Sequence, residues 1–129
     1  MVEDEYRLII AGSRTVTDYA TVREAVIASG FWHKYKKRIA VVSGRAKGVD
    51  RRGEEFAHNN GLTLYKFAVT SADWNTYGKR AGMLGNIKMG EFSHGLCAVW
   101  DGKSKGTKQM IDWATENGLD VYVHLVSIE

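Results

Sequence analysis

The run Ile39-Ala40-Val41-Val42-Ser43-Gly44-Arg45-Ala46-Lys47-Gly48-Val49-Asp50 constrains the fold more than any other part of the chain. A short apolar stretch stops at a glycine-rich turn, and a helical pattern starts directly behind it. Strand, glycine turn and helix in that order is how a parallel α/β sheet builds an anion pocket. The glycines admit close approach of the backbone, and the first free N–H groups of the helix face a phosphate. The same logic opens the chain at Leu8-Ile9-Ile10-Ala11-Gly12-Ser13-Arg14. It closes it at Cys97-Ala98-Val99-Trp100-Asp101-Gly102-Lys103-Ser104-Lys105-Gly106-Thr107. Three such loops in 129 residues point to a nucleotide-like ligand.

Periodicity extends this to an alternating α/β order. Arg7 to Ala11 reads as the first strand, followed by a helix from Thr17 or Asp18 to Ser29 that buries Val22, Val26 and Ile27. Ile39 to Ser43 is a second strand, apolar in sequence as expected when both faces are covered. The next helix, Val49 to Asn60, sets Val49, Gly53, Phe56, Ala57 and Asn60 on one face, with Asn60-Gly61 as its C-cap. Leu62 to Phe67 makes a third strand and Ala68 to Tyr77 a polar loop holding Trp74. A helix from Gly78 to Phe92 leads to the strand Leu96 to Trp100. The last helix, Gly106 to Asn117, buries Met110, Ile111 and Ala114, and Val121 to Val126 ends the sheet. The expectation is an α/β fold: one three-layer Rossmann-like domain over residues 1–129, with a mainly parallel five-stranded sheet and a short or disordered lead at 1–5. Ligands of such sheets bind beyond the carboxyl ends of the strands, where strand order reverses, so the glycine loops should share one crevice.

Composition narrows the function classes. Eighteen basic against fifteen acidic side chains give a net charge of +3, a thin basis for nucleic-acid binding, which is not expected. No apolar run approaches the roughly 20 residues of a membrane span, and the acidic start Met1-Val2-Glu3-Asp4-Glu5 lacks the features of a signal peptide. A single cysteine, Cys97, fits a reducing cytoplasm. His33, His58, His94 and His124 are scattered without cysteine companions, so no metal site is expected, and no organic cofactor is implied. Gly102-Lys103-Ser104 lacks the upstream glycine of a nucleotide-triphosphatase loop, position 97 being cysteine.

The string Ser43-Gly44-x-Ala46-x-Gly48-x-Asp50, with Gly12-Ser13-Arg14 ahead of it, resembles the SLOG superfamily. That group joins the DNA-processing protein A (Smf) proteins, the LOG nucleotide phosphoribohydrolases and the YpsA-like proteins. The fuller set is most similar to the small single-domain YspA-like (cpYpsA-related) branch, frequent in phages and mobile elements. It continues through Gly53-Glu54, Asp73-Trp74, Tyr77-Gly78-Lys79-Arg80-Ala81-Gly82, Asn86, Met89, Trp100-Asp101-Gly102 and Ser104-x-Gly106-Thr107. The resemblance implies enzymes, DNA binders and ligand sensors as precedents. LOG-type hydrolases, by the same resemblance, need an arginine on the helix before the fourth strand and a glutamate two residues after the Gly-Thr pair. Here those positions are Gly85 and Gln109, and a neutral amide neither activates water nor stabilises an oxocarbenium-like centre well.

The candidate ligand-binding residues are therefore Gly12, Ser13, Arg14, Ser43, Gly44, Arg45, Ala46, Gly48, Asp50, Trp74, Arg80, Asn86, Asp101, Gly102, Ser104, Gly106 and Thr107. Ser13 and Arg14 either hold phosphate or serve as a cap and a surface ion pair. Ser104 and Thr107 close a glycine loop or cap a helix. Asp50 either caps its own helix or accepts bonds that shape the pocket, since a carboxylate facing a phosphate would repel it. Trp74 stacks on a base or packs over the sheet edge, and Asn86 reads a sugar, reads a base edge or caps a loop. The leading expectation is a cytoplasmic binder of a nucleotide-derived small molecule, ADP-ribose-like or cyclic. It would act as a sensor or, as a free-standing domain of a type that phages encode, by sequestration, and as a homodimer or higher oligomer. The alternatives are a nucleotide hydrolase using Asp50, Glu54 or Asp101, and a single-stranded DNA binder.

Overall fold

In the computed structural model, which describes residues 4–127, five strands form one wholly parallel sheet. They are β1 (Tyr6–Gly12), β2 (Ile39–Ser43), β3 (Thr63–Lys66), β4 (Gly95–Trp100) and β5 (Asp120–Leu125), in spatial order β3-β2-β1-β4-β5. The chain winds outward from β1 to β3, then crosses to the other side of β1 to place β4. Strand order therefore reverses between β1 and β4, where Gly12 pairs with Val99.

The helices are α1 (Tyr19–Ala28), α2 (Phe31–Tyr35), α3 (Val49–Asn59), α4 (Ser71–Tyr77), α5 (Ala81–Phe92) and α6 (Lys105–Glu116). Alternation along the strands decides which face each covers. Leu8, Ile10, Val41, Cys97 and Val99 pack with Val22, Val26, Phe31, Val49 and Phe56 from α1, α2 and α3. Ile9, Val42, Leu96 and Ala98 point the other way, onto Met89 of α5 and Met110 and Ala114 of α6. The three layers expected from the sequence are present. Burial lifts the Cys97 thiol to about 12, leaving it inert inside β4.

Several local expectations need correction. Ile27 is exposed and Ala25 is buried in its place, because Val22, Ala25 and Val26 share one stripe and Ile27 falls a further 100° round the helix. Ile111 is only half-buried. Residues 71–77 form a helix rather than a loop. Thr70 Oγ1 accepts from Asp73 N at 3.1 Å and Asp73 Oδ2 accepts from Thr70 N at 2.9 Å, a complete capping box. The expected single helix from Gly78 is a 3₁₀ turn over Gly78–Arg80 followed by α5. Five residues after Gly30 form the short α2, which periodicity is too short to reveal. Of the N-terminal lead, residues 1–3 lie outside the described residues. Asp4 and Glu5 are held, Asp4 by Arg38 and Glu5 by the Tyr65 hydroxyl.

Candidate functional site

The loops after β1, β2 and β4 meet at the switch point and are tied together by side chains. Ser13 is buried at the end of β1, and its Oγ accepts from the Asp101 N–H at 3.0 Å and lies 3.1 Å from Ser104 Oγ. A hydroxyl from the first loop thus fixes the third. Asp101 turns back on its own loop: its Oδ1 accepts from Lys103 N and Ser104 N, each at 2.8 Å. These backbone N–H groups, Ser104 first, hold the Asp101 carboxyl below its ordinary range. It is a stable carboxylate that shapes a turn, a poor candidate for proton transfer.

The first and second loops lie against each other at Gly48. Its φ is +80°, and a Cβ there would sit 2.5 Å from Ser13 O and 2.6 Å from Arg14 O. Only glycine allows both the conformation and the approach. Behind this contact stands Asp50, buried, its Oδ2 accepting from Ala46 N at 3.2 Å. Burial pushes the Asp50 carboxyl up to about 6, against the pull of the Ala46 and Gly12 N–H groups and with Glu54 raising it further. Of its two expected roles, the geometry gives bonds that join the first two loops.

Glu54, one turn on, accepts from Ser43 Oγ at 2.7 Å and from Arg45 Nη1 at 3.2 Å. Ser43 Oγ also accepts from Arg45 N, and Arg45 carries a left-handed φ of 68° that a non-glycine residue rarely adopts. Ser43, Arg45 and Glu54 form one network under the second loop, so Glu54 and Arg45 are engaged with each other.

The third loop differs. Ser104 occupies the N-cap of α6, yet its side chain caps nothing: it is turned toward Ser13 and Asp101. The opening N–H groups of α6, at Lys105, Gly106 and Thr107, have no partner within the helix. Gly106 stands in open space, with nothing within 4 Å of where a Cβ would be, and Gly102 is exposed while Thr107 is buried. Exposed basic side chains stand on all three loops: Arg14 on the first, Lys47 on the second, Lys103 and Lys105 on the third.

Helix α5 touches two of these loops. Asn86 Nδ2 donates to Gln109 Oε1 at 2.7 Å and to Gly106 O at 3.3 Å, while Met89 Cε lies 3.1 Å from a Cβ position on Gly44. The amide that stands at the expected glutamate position is therefore occupied by Asn86. Trp74 and Arg80 are exposed on α4 and the 3₁₀ turn; among the described residues no side-chain hydrogen bond or ion pair joins them to the three loops. Arg80, though not Trp74, borders a different feature, a half-enclosed cavity of about 500 Å³ between the segment after β3, α4 and α5. Phe67, Val69, Tyr77 and Leu84 line it. The sequence offered no period that would unite them, because they come from three segments. The Thr70-x-x-Asp73 spacing was the one local signal that α4 exists.

No protein-family model matches the chain. In fold, it is similar to the X-ray structure of DNA processing protein A from Streptococcus pneumoniae, with a TM-score of 0.68 over 95% of this chain at 18% identity. This chain spans 50% of that one. The agreement confirms the parallel α/β Rossmann-like architecture. Among the described residues no helix is long and apolar enough to cross a membrane. In sequence, the chain is 33% identical over 120 residues to the Gene 61 protein of Mycobacterium phage D29, covering 89% of this chain and 93% of that one. Identity at that level along nearly the whole of both chains means that this protein belongs to the family of the phage Gene 61 protein.

Proposed function

We propose that the protein is a cytoplasmic, SLOG-type domain of the YspA-like branch that binds a nucleotide or nucleotide-derived signal. The phosphates would sit where the loops after β1, β2 and β4 meet. One observation carries the reading: at the switch point of the sheet, the first turn of α6 has no side-chain cap because Ser104 is turned away to Ser13 and Asp101. Unpaired helix N–H groups, an open Gly106 and basic side chains on all three loops together suit an anion. The phage relative fits a role in sequestering such a signal. Engagement of Asn86 with Gln109 and of Glu54 with Arg45 favours binding over cleavage.

Gly106→Asp tests the placement. The added carboxylate meets open space, so the fold should keep its melting temperature. Calorimetric affinity for whichever nucleotide is recovered from a mixed panel of mono-, di-, cyclic and ADP-ribose-type compounds should fall beyond detection. Unchanged affinity would refute the seat. Mass spectrometry of the recovered material also decides between an intact ligand and cleavage products. In the second case Asp50, Glu54 and Asp101 become the residues to mutate.

The fold likeness to DNA processing protein A supports a second reading, single-stranded DNA across the same basic loops. It predicts oligonucleotide binding that weakens steeply with salt. No strand binding at low salt would dispose of it.

A further inference from the structure

The cavity beside α5 is separate from the three stapled loops but begins next to them: Phe67 N donates to Ser43 O at 2.8 Å, so its first wall starts one residue from Gly44. We propose that this cavity is the seat for a flat, uncharged heterocycle, the base of the nucleotide whose phosphates lie on the glycine loops. The placement rests on the function proposed above.

Four observations support it. The volume, about 500 Å³, lies in the range of about 300–1,000 Å³ typical of small-ligand pockets. The inner surface is apolar, from Phe67, Val69, Ala81 and Leu84, and suits a ring that leaves water. The rim carries Asp73 and Glu91 against Arg80 and Lys88. These charges cancel, so the cavity itself does not select an anion, while donors and acceptors both stand at its mouth. Asp73 is further engaged by the Thr70 N–H. Finally, Gly85 keeps the space open: even a Cβ there would lie 3.0 Å from Val69 Cγ2, and a long side chain would enter the cavity.

The outer wall explains an otherwise puzzling surface. None of the seven residues of α4 is buried, and Tyr77 is 48% exposed. A ring bound beneath gives Tyr77 a face to stack on and Arg80 a plane to cover.

The test is calorimetry on the full chain with adenosine, guanosine, cytidine and uridine, each alone, and separately with pyrophosphate. The expected result is that at least one nucleoside binds. Ala68→Trp, which fills the cavity from an exposed position, and Tyr77→Ala, which removes the stacking face, should each weaken it about tenfold or more. Both should leave pyrophosphate binding intact. Gly106→Asp should do the reverse. Pyrophosphate binding without any nucleoside binding overturns the cavity proposal and leaves the phosphate seat standing. Nucleoside binding that ignores both cavity variants overturns it equally. Nucleoside binding without pyrophosphate binding upholds the cavity and refutes the phosphate reading. A concentration-dependent dimer abolished by Ala68→Trp, with no nucleoside bound, overturns the proposal in favour of a second copy of the chain.

Discussion

Replacing Asp50 by asparagine should become steadily more favourable to stability, relative to wild type, as pH rises. The Asp50 carboxyl is buried and rises from 3.8 to about 6 in the folded state, chiefly through desolvation. A group whose pKa is raised by folding holds its proton more tightly in the native state. Its contribution is therefore complete below about pH 4 and is lost as pH climbs through 6. A shift of roughly two units corresponds to about 3 kcal/mol over the full titration, of which about 2 kcal/mol falls between pH 4.5 and 7.5. Asparagine keeps one acceptor oxygen for the Ala46 or Gly12 N–H but cannot ionise. Its amide group facing the other N–H adds a constant penalty of about 1–2 kcal/mol at every pH, so the slope is diagnostic and the offset is not. Urea unfolding of both proteins across this range gives the stability difference, Asp50→Asn variant minus wild type. It should rise by about 2 kcal/mol from pH 4.5 to 7.5. A difference that stays flat, or falls, would refute the claim that an ionised carboxylate is held there at a cost.

Gly48→Ala should destabilise by about 2–4 kcal/mol in chemical denaturation, combining a disfavoured φ with collision against two carbonyls of the first loop; a loss below about 1 kcal/mol would mean that the loops do not meet as described. Ser13→Ala should cost about 1–3 kcal/mol by leaving the Asp101 N–H without its buried acceptor, and hydrogen exchange at Asp101 should accelerate; unchanged exchange would remove the staple. Thr70→Ala should cost only about 1 kcal/mol while lowering helicity at α4, read by chemical shifts. A global collapse would contradict a helix with no buried residue.

What the sequence revealed and what it hid follow from the range of the interactions. β2 is legible as Ile39 to Ser43 because all five residues are buried and the apolar run is unbroken. α3 is legible because Val49, Gly53, Phe56 and Ala57 recur at helical spacing, and Asp18 marks the start of α1 through its bond to Ala20 N. α4 escapes because a helix that buries nothing has no hydrophobic period; only its cap is encoded locally. The loops of the candidate site could be listed from the sequence, since each follows a strand. The bond from Asp101 N to Ser13 Oγ spans 88 residues, and no local pattern announces it. Nor could the cavity be foreseen, since three segments meet there only after the sheet has formed.

The glycines of the three loops differ in what surrounds them. Read in sequence, Gly44, Gly48 and Gly106 carry one meaning, a backbone left bare for phosphate. In the folded chain Gly48 is closed by the carbonyls of Ser13 and Arg14, and a Cβ on Gly44 would meet Asp50 Oδ2 at 2.9 Å. At both, the protein itself occupies the direction a side chain would take. Gly106 alone of the three faces open space. The first two loops are packed together through Gly48, Asp50 and the Ser43–Arg45–Glu54 network, while at the third the opening N–H groups of α6 have no partner within the helix. That division makes the two kinds of glycine experimentally separable. A side chain at Gly48 should lower stability whether or not ligand is present, whereas one at Gly106 should leave the free protein intact and erase the stabilisation that bound nucleotide confers. If both substitutions acted alike in the absence of ligand, the third loop would be another packing element, and the phosphate seat would lose its principal support.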